Sequence, residues 1–187
     1  MRIIGGEARG RRLLTPRDNT IRPALDRIRE SVFSVVEESI QNQTVLDLFA
    51  GVGSIGLEAV SRGARRAVFV DQSRSSLEIL SENIRNLGFS SRCEVIRGDA
   101  LTLPAVPSAD LDACSLIFMD PPFSMFATDR LRDDVIRRVR ELLNANVLTT
   151  PGWLILRHPS SWSGEVPIEP QKRQTYGEST VLFYASE

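Results

Sequence analysis

The sequence contains few of the residues that bind metal ions or form disulfides. Among 187 residues there are two cysteines and one histidine. Cys93 and Cys114 each lie beside an apolar, strand-like run, which favours buried, reduced thiols over a disulfide. Because one histidine and two dispersed cysteines do not form a zinc-ligand set, we expect no metal site. His158 follows a predicted strand, and we expect it to be structural or to contact a substrate weakly.

The sequence also lacks a long apolar segment. No uninterrupted apolar stretch approaches the ~18 residues that a membrane span requires. Residues 1–20 are basic and have no apolar core of a signal peptide. We therefore expect a cytoplasmic protein with no membrane partner. The 42% hydrophobic and 25% charged content is ordinary for a globular chain of this length.

Lysine is nearly absent, and the arginines are unevenly distributed. Lys172 is the only lysine, and the formal net charge is −1. Residues 1–29 nevertheless carry +5 and the remaining residues −6, because eight arginines (Arg2, Arg9, Arg11, Arg12, Arg17, Arg22, Arg27 and Arg29) face only three acidic residues there. A basic segment on an acidic body indicates a polyanionic partner. The alternative is that these arginines pair with the acidic body.

Strand-like and helix-like patterns alternate along the chain. Residues 2–6 and 11–14 predict a short hairpin, and residues 24–40 an amphipathic helix. Strands are predicted at residues 45–49, 67–71, 93–96, 114–119, 153–156 and 179–185. One helix is predicted at residues 54–62, a second begins at a capping box of Ser75 and Glu78, and a third begins after Thr128. This alternation predicts an α/β fold with a doubly wound, mostly parallel sheet. The last two strands leave little room for a helix between them, so we expect an antiparallel hairpin at one edge. We predict a basic arm over residues 1–20 and one domain over residues 21–187.

A glycine-rich motif follows the first core strand. Gly51-Val-Gly53-Ser-Ile-Gly56 opens a helix, and Asp71 ends the next strand. In this setting the pattern indicates a nucleotide-type cofactor, because glycines let the backbone approach it and the acid accepts ribose hydroxyls. The same spacing also suits a nicotinamide enzyme, and glycines can serve turns alone.

Two carboxylates favour S-adenosylmethionine (SAM) over a dinucleotide. Asp47 precedes the glycines and would repel a pyrophosphate at the helix N-terminus, whereas SAM has no phosphate. Asp99, in Gly98-Asp99-Ala100 after the third strand, can meet an adenine amino group.

The motif Asp120-Pro121-Pro122-Phe123 ends the apolar run of the fourth core strand. Two prolines cannot continue a sheet ladder, because neither has an N–H to donate. The chain therefore delivers a carboxylate, a rigid turn and an aromatic ring at the end of a strand, where ligands bind in open α/β sheets. The carboxylate can accept hydrogen bonds from an exocyclic amine, and the ring can stack on a base.

Taken together, these segments resemble class I SAM-dependent methyltransferases, and more narrowly the RsmD-type bacterial 16S rRNA guanine-N2 methyltransferases. The resemblance spans nearly the whole chain. Its matching segments are residues 1–6 with 9–11, 22–23 with 26–27 and 29–30, 47–51 with 53 and 56–59, 61–64, 120–123, and 176–177. The chain departs from the usual pattern at Ala24, where threonine is usual, in Val52, Ser54 and Ile55 of the glycine loop, and at Gln174-Thr175.

The resemblance implies a seven-stranded Rossmann-like sheet, SAM as cofactor, S-adenosylhomocysteine as product and no metal. It implies a monomer that acts on rRNA or on the assembled small ribosomal subunit. The implied catalytic residues are Asp120, Pro121, Pro122 and Phe123. The implied cofactor-binding residues are Asp47, Phe49, Ala50, Gly51, Gly53, Asp71, Gln72, Asp99 and Ala100. The implied RNA-binding residues are Arg2, Arg9, Arg11, Arg12, Arg22, Arg29 and Tyr176.

Three other functions are compatible with parts of the pattern. An amino-methyltransferase of DNA adenine or protein glutamine would share the Pro-Pro turn. A nicotinamide oxidoreductase would share the glycine motif, and a non-catalytic RNA-binding module would share the basic segment.

Overall fold

The computed structural model describes residues 1–16, 23–104, 113–164 and 168–186, with the backbone alone for residues 23–25. Its helices are α1 (Pro23–Val36), α2 (Ser54–Ser61), α3 (Arg74–Leu87) and α4 (Asp129–Asn144). Its strands are β1 (Thr44–Leu48), β2 (Arg66–Asp71), β3 (Cys93–Arg97), β4 (Cys114–Met119), β5 (Leu148–Pro159), β6 (Lys172–Tyr176) and β7 (Ser179–Ala185). Two short 3-10 helices, Glu37–Ser39 and Phe123–Phe126, complete these elements.

The seven strands form one sheet in the order β3-β2-β1-β4-β5-β7-β6. The five strands from β3 to β5 are parallel, whereas β7 is antiparallel to both of its neighbours. The predicted antiparallel pairing at one edge is confirmed, and β6 extends that edge by one more strand. Chain order reverses between β1 and β4, which makes this the point where ligands bind in open α/β sheets.

Apolar side chains cover both faces of the sheet, as the continuous apolar strands predict. On one face, Val139 and Leu142 of α4 belong to a core with Leu46 and Ile117. The other face is covered by α1, α2 and α3, and the Phe33 ring of α1 lies 5.6 Å from the Phe118 ring. The sheet is therefore doubly wound.

The N-terminal segment is packed on α2 and forms only an isolated antiparallel bridge, between Arg2 and Arg12, where we predicted two strands. Backbone hydrogen bonds nevertheless cross a short hairpin, from the Ile3 N–H to the Arg11 carbonyl at 2.9 Å and from the Leu13 N–H to the Met1 carbonyl at 3.1 Å, while the N–H groups near the turn donate to α2. The fully buried Glu58 carboxylate accepts from Ile4 and Gly5, both at 2.7 Å. Gly6 has φ +75°, and a Cβ there would lie 1.8 Å from the Ser61 carbonyl oxygen, so only glycine allows this approach.

The predicted capping box of α3 is wrong by two residues. The N-cap is Ser73, whose Oγ accepts the Ser76 N–H at 3.3 Å, because the backbone is already helical at Arg74. Glu78 instead pairs with Arg74 one turn earlier on the exposed surface. At the other end of α3, Gly88 provides the left-handed C-cap that the sequence predicts.

Both cysteines are free thiols, and burial raises the pKa of each to about 12. Among the residues that the structure describes, no helix is long and apolar enough to cross a membrane.

Candidate active site

A cavity of about 460 Å³ opens at the carboxyl ends of the parallel strands. Nine of the residues that the sequence suggested for cofactor binding or catalysis line it: Phe49, Gly51, Asp71, Gln72, Asp99, Ala100, Asp120, Pro121 and Pro122. Ser73, Ser76, Ser124, Met125 and Arg157 complete its wall and were not predicted. Its volume is within the range of pockets that hold small molecules and cofactors.

Asp71, at the end of β2, is fixed by two backbone N–H groups. Its Oδ2 accepts from Gly51 and its Oδ1 from Ser73, both at 2.8 Å. A carboxylate has about four acceptor positions, so two stay available to a ligand. The side chain is thus both oriented and able to bind hydroxyl groups.

Asp47 lies beneath the glycine loop and does not line the cavity, although we predicted it as a cofactor-binding residue. It is 1% exposed, and its Oδ2 accepts the Gly56 N–H at 2.9 Å. Burial raises its pKa to about 7, and the charges of Asp120 and Asp71 add to this rise, whereas the Gly56 hydrogen bond opposes it. A Cβ on Gly56 would lie 2.3 Å from the Phe69 ring, so glycine is needed for α2 to approach the sheet this closely.

Ala50 and Gly53 also lie outside the cavity wall, whereas Phe49 is part of it. Ala50 is buried in the core with α2 and α3, and Gly53, with φ +85°, packs against Leu80. Phe49 has φ +63°, a conformation that bulky residues rarely adopt and that costs on the order of 1–3 kcal/mol. Such outliers cluster at ligand sites, and this one turns the chain from β1 into the glycine loop.

Asp99 follows β3 and is exposed at the cavity wall. Its Oδ1 accepts the Leu101 N–H at 3.0 Å, which fixes the side chain in a local turn. Asp99 follows the edge strand β3 and Asp120 follows β4, and both side chains line the same cavity.

Asp120 ends β4 and contacts a residue that we did not predict. The Nε of Arg157 donates to Asp120 Oδ1 at 2.5 Å, and the Arg157 guanidinium carbon lies 4.8 Å from the centre of the Phe123 ring. Arg157 is near the carboxyl end of β5. The general rule for ligand positions in parallel sheets could have identified it, because it directly follows the predicted strand at residues 153–156.

Phe123 does not line the cofactor-sized cavity. It borders a second cavity of about 530 Å³ whose wall includes Phe126, Trp162 and Glu178. The buried His158 ring lies 4.8 Å from Trp162 and 5.9 Å from Phe126, and burial lowers its pKa. His158 therefore belongs to an aromatic cluster behind the second cavity, in agreement with a structural role.

The residues suggested for RNA binding differ in exposure. Arg2, Arg9, Arg11 and Arg12 are exposed, and Arg22 lies outside the described residues. Arg11 donates to the Asn86 carbonyl oxygen at 2.5 Å, and Arg2 lies 3.9 Å from Asp26.

The polar groups of two of those residues, Arg29 and Tyr176, are bonded to other groups of the protein. Arg29 is 6% exposed and donates to the carbonyl oxygens of Arg2 and Ser54 and to the Asp26 carboxylate. Tyr176 is half-buried, and its hydroxyl contacts Ser31 and Gln174. These contacts of Arg29, a residue of α1, link the N-terminal segment, α1 and the glycine loop. Its guanidinium is therefore used inside the protein.

Over the described ranges, no group of three or more His, Cys, Asp or Glu residues is arranged to hold a metal ion.

Comparison with known proteins gives consistent matches over the whole chain. The family model described as Conserved hypothetical protein 95 matches residues 1–185. The Ribosomal RNA small subunit methyltransferase D of Escherichia coli (strain K12) is 30% identical over 190 residues, covering 96% of this chain and 93% of that relative.

Solved structures share the fold. A hypothetical protein from Thermus thermophilus has a TM-score of 0.75 and 28% identity, covering 98% of each chain. An RNA methyltransferase from Salinibacter ruber, in complex with S-adenosyl-L-homocysteine, has a TM-score of 0.60 and 16% identity over 90% of this chain and 93% of that chain. At that identity the second likeness concerns the fold alone, and the predicted fold class is confirmed.

Proposed function

The chain belongs to the family of the bacterial ribosomal RNA small subunit methyltransferases D, and on this basis we propose that it transfers a methyl group from SAM to the exocyclic N2 amine of a guanine in 16S rRNA. The observation that carries the proposal is that Asp120 lines the same cavity as Asp71 and Asp99. One wall therefore presents the acceptors for a nucleoside and the acceptor for a reacting amine.

The cavity residues fit SAM by their chemistry. Asp71 keeps two acceptor positions, which suit the two ribose hydroxyls. Asp99 at the next strand end suits the adenine amino group, and Phe49 and Ala100 supply apolar surface for the ring. When bound, SAM supplies a methyl group on a positively charged sulfonium and leaves as neutral S-adenosylhomocysteine.

Asp120 and the Pro-Pro turn are proposed to bind the reacting amine. The lone pair of the guanine N2 is delocalised into the ring, which makes this nitrogen a poor nucleophile. Hydrogen bonds from its two N–H groups to Asp120 and the Pro121 carbonyl would orient the lone pair toward the methyl carbon, and Phe123 would hold the base plane. As the N–C bond forms and the sulfur–carbon bond breaks, the nitrogen becomes acidic and its proton passes to Asp120 or to water.

The target base must leave its stack to reach Asp120. We propose that the exposed arginines of the N-terminal segment, Arg2, Arg9, Arg11 and Arg12, bind RNA phosphates around it. Arg29 is left out of this surface because its guanidinium is buried on protein acceptors. Met1 borders a small apolar cavity of about 60 Å³ together with Asp120, so the basic segment begins beside the reacting group. A cytoplasmic monomer remains our expectation.

The test is transfer of labelled methyl from SAM to small ribosomal subunits, and to naked 16S rRNA, from a strain that lacks this enzyme. Digestion to nucleosides should give labelled N2-methylguanosine. Asp120→Ala should abolish transfer and leave the dissociation constant of SAM largely unchanged, while Asp133→Ala on the exposed part of α4 should transfer normally. Label on adenine or on a protein amide would instead support the related amino-methyltransferases. Binding of NADH in preference to SAM would support an oxidoreductase.

A further inference from the structure

Arg157 contacts Asp120 and Phe123, the two residues that are proposed to bind the target base. Its Nε donates to Asp120 Oδ1 at 2.5 Å, and its guanidinium carbon lies 4.8 Å from the centre of the Phe123 ring. A guanidinium is planar, delocalised and rich in N–H donors, as is the amine-bearing edge of a guanine. Arg157 thus presents one N–H to the carboxylate and one flat surface to the ring, the same pair of contacts that the base would make.

The base and this guanidinium compete for one place. A donor on Asp120 Oδ1 and a planar group on the facing side of Phe123 together fill the space between the carboxylate and the ring. Arg157 and Asp120 both line the cofactor-sized cavity and the small apolar cavity. These two side chains of opposite charge therefore lie at the boundary between the two cavities. A base that reaches Asp120 from either cavity therefore meets the guanidinium beside it.

We propose that Arg157 is a base-mimicking gate, which holds Asp120 and Phe123 in the free enzyme and is displaced when the amine-bearing base enters. The inference rests on the proposed function, because it uses Asp120 as the acceptor of the target amine. Displacement is feasible because the Arg157 and Asp120 side chains are 22% and 25% exposed, so water competes with their pairing.

The structure also contains acceptors for the displaced guanidinium. Arg157 Nη1 already donates to Ser179 Oγ at 3.3 Å. Glu178, the neighbour of Ser179, borders the cavity on the other side of Phe123 and has no ion pair among the described residues. A rotation of the side chain that keeps the Ser179 contact would move the guanidinium from the Asp120 carboxylate toward that of Glu178.

The test uses Arg157→Gln and Arg157→Lys, with Arg140→Gln on the exposed surface of α4 as the matched loss of an arginine. Glutamine removes the charge and lysine keeps it without the planar group. The probe is 2-aminopurine riboside, which carries the amine at the position of the guanine N2 and whose fluorescence is quenched by stacking. We expect Arg157→Gln to bind it about 5-fold more tightly than the parent chain, the parent and Arg140→Gln to bind it equally, and Arg157→Lys to lie between.

The second readout is the KM for rRNA in methyl transfer, which should fall in Arg157→Gln by a similar factor. Weaker or unchanged nucleoside binding in Arg157→Gln overturns the gate and makes Arg157 a direct contact to the base or a support for Asp120. Tighter nucleoside binding without methyl transfer by the parent chain keeps the gate and refutes the proposed function. Methyl transfer by the parent chain, together with a raised or unchanged KM in Arg157→Gln, overturns the gate and keeps the proposed function. Thermal unfolding of each variant checks that the fold is retained.

Discussion

The Gly51 N–H donates a hydrogen bond to Asp71 Oδ2 at 2.8 Å and so joins the glycine loop to the end of the neighbouring strand. Asp71 also accepts from Ser73, which begins the capping turn of α3. One carboxylate thereby aligns two loops that border the cavity, and its remaining acceptor positions face the proposed ribose.

Asp71→Ala should weaken SAM binding by at least ~10-fold. Hydrogen bonds to a charged group contribute about 1.5–3 kcal/mol each, and 1.4 kcal/mol is about a tenfold change in affinity. Calorimetric titration with SAM measures the dissociation constant directly. An unchanged value would refute the ribose role of Asp71.

A matched ligand separates the loss of a ligand contact from a loosened loop. S-adenosylhomocysteine that lacks the ribose 2′-hydroxyl should bind the parent chain more weakly than the intact compound. It should bind Asp71→Ala about as well as the intact compound does, because the hydroxyl no longer has its partner. An equal loss in both proteins would mean that Asp71 acts only through the loops.

Glu58→Gln should lower the free energy of unfolding by about 1–3 kcal/mol. The fully buried Glu58 carboxylate accepts from Ile4, Gly5 and Arg62 at 2.7–2.8 Å, and an amide has only one acceptor oxygen for three donors. Urea unfolding measures the change. The control is Glu78→Gln, whose exposed pair with Arg74 contributes about 0–0.5 kcal/mol. Equal effects of the two substitutions would contradict a role for Glu58 in anchoring the N-terminal segment.

The strand ends of this sheet could be predicted from the sequence because buried apolar runs and their breakers are local signals. The turn after β1, Asp71 at the end of β2 and the Pro-Pro turn after β4 all line the cavity where the parallel order of strands brings them together. The spacing of Leu131, Val135, Val139 and Leu142 also predicts one apolar stripe on α4, and the last three are buried, whereas Leu131 in the first turn is exposed.

The errors concern contacts between segments distant in sequence. Asp47 looked like a cavity residue, but the fold covers it with α2, and a strand-end position does not reveal which side chain points under the loop. Arg29 looked like an exposed cation, yet it connects Arg2 to Ser54 across three segments. The sequence also did not show that the turn of the N-terminal segment is held by Glu58, a residue more than fifty positions away.

Removing the charge of Arg9 and Arg12 should flatten the salt dependence of RNA binding. Both side chains are exposed, whereas deletion of the whole segment would also remove the buried Ile3 and Leu13 from the core. Each phosphate contact contributes about −0.7 to the log–log slope if the RNA binds as a single strand, so Arg9→Ser with Arg12→Ser should reduce the slope by about 1.4. Filter binding over a salt series measures it. An unchanged slope would mean that these arginines do not bind phosphate, and Arg130→Ser with Arg140→Ser on α4 is the control.

The buried Asp47 carboxyl group should make stability depend on pH, and the substitution Asp47→Asn should remove this dependence. Burial raises the pKa of Asp47 from 3.8 to about 7, so between these values the folded chain holds a proton that the unfolded chain has lost. The stability contributed by this proton is fully present below the unfolded pKa and is lost as the pH rises through the folded pKa. Above pH 7 the folded state contains a buried carboxylate whose main partner is the Gly56 N–H.

Asp47→Asn keeps an acceptor for Gly56 and cannot ionise. The free energy of unfolding of this variant minus that of the parent chain should therefore increase by about 1–3 kcal/mol as the pH rises from about 5 to about 8. The measurement is urea unfolding of both proteins across this range without SAM. Because every other titrating group is shared, the difference between the two curves isolates Asp47. A difference that stays constant with pH would show that Asp47 is ionised in the folded chain throughout the range.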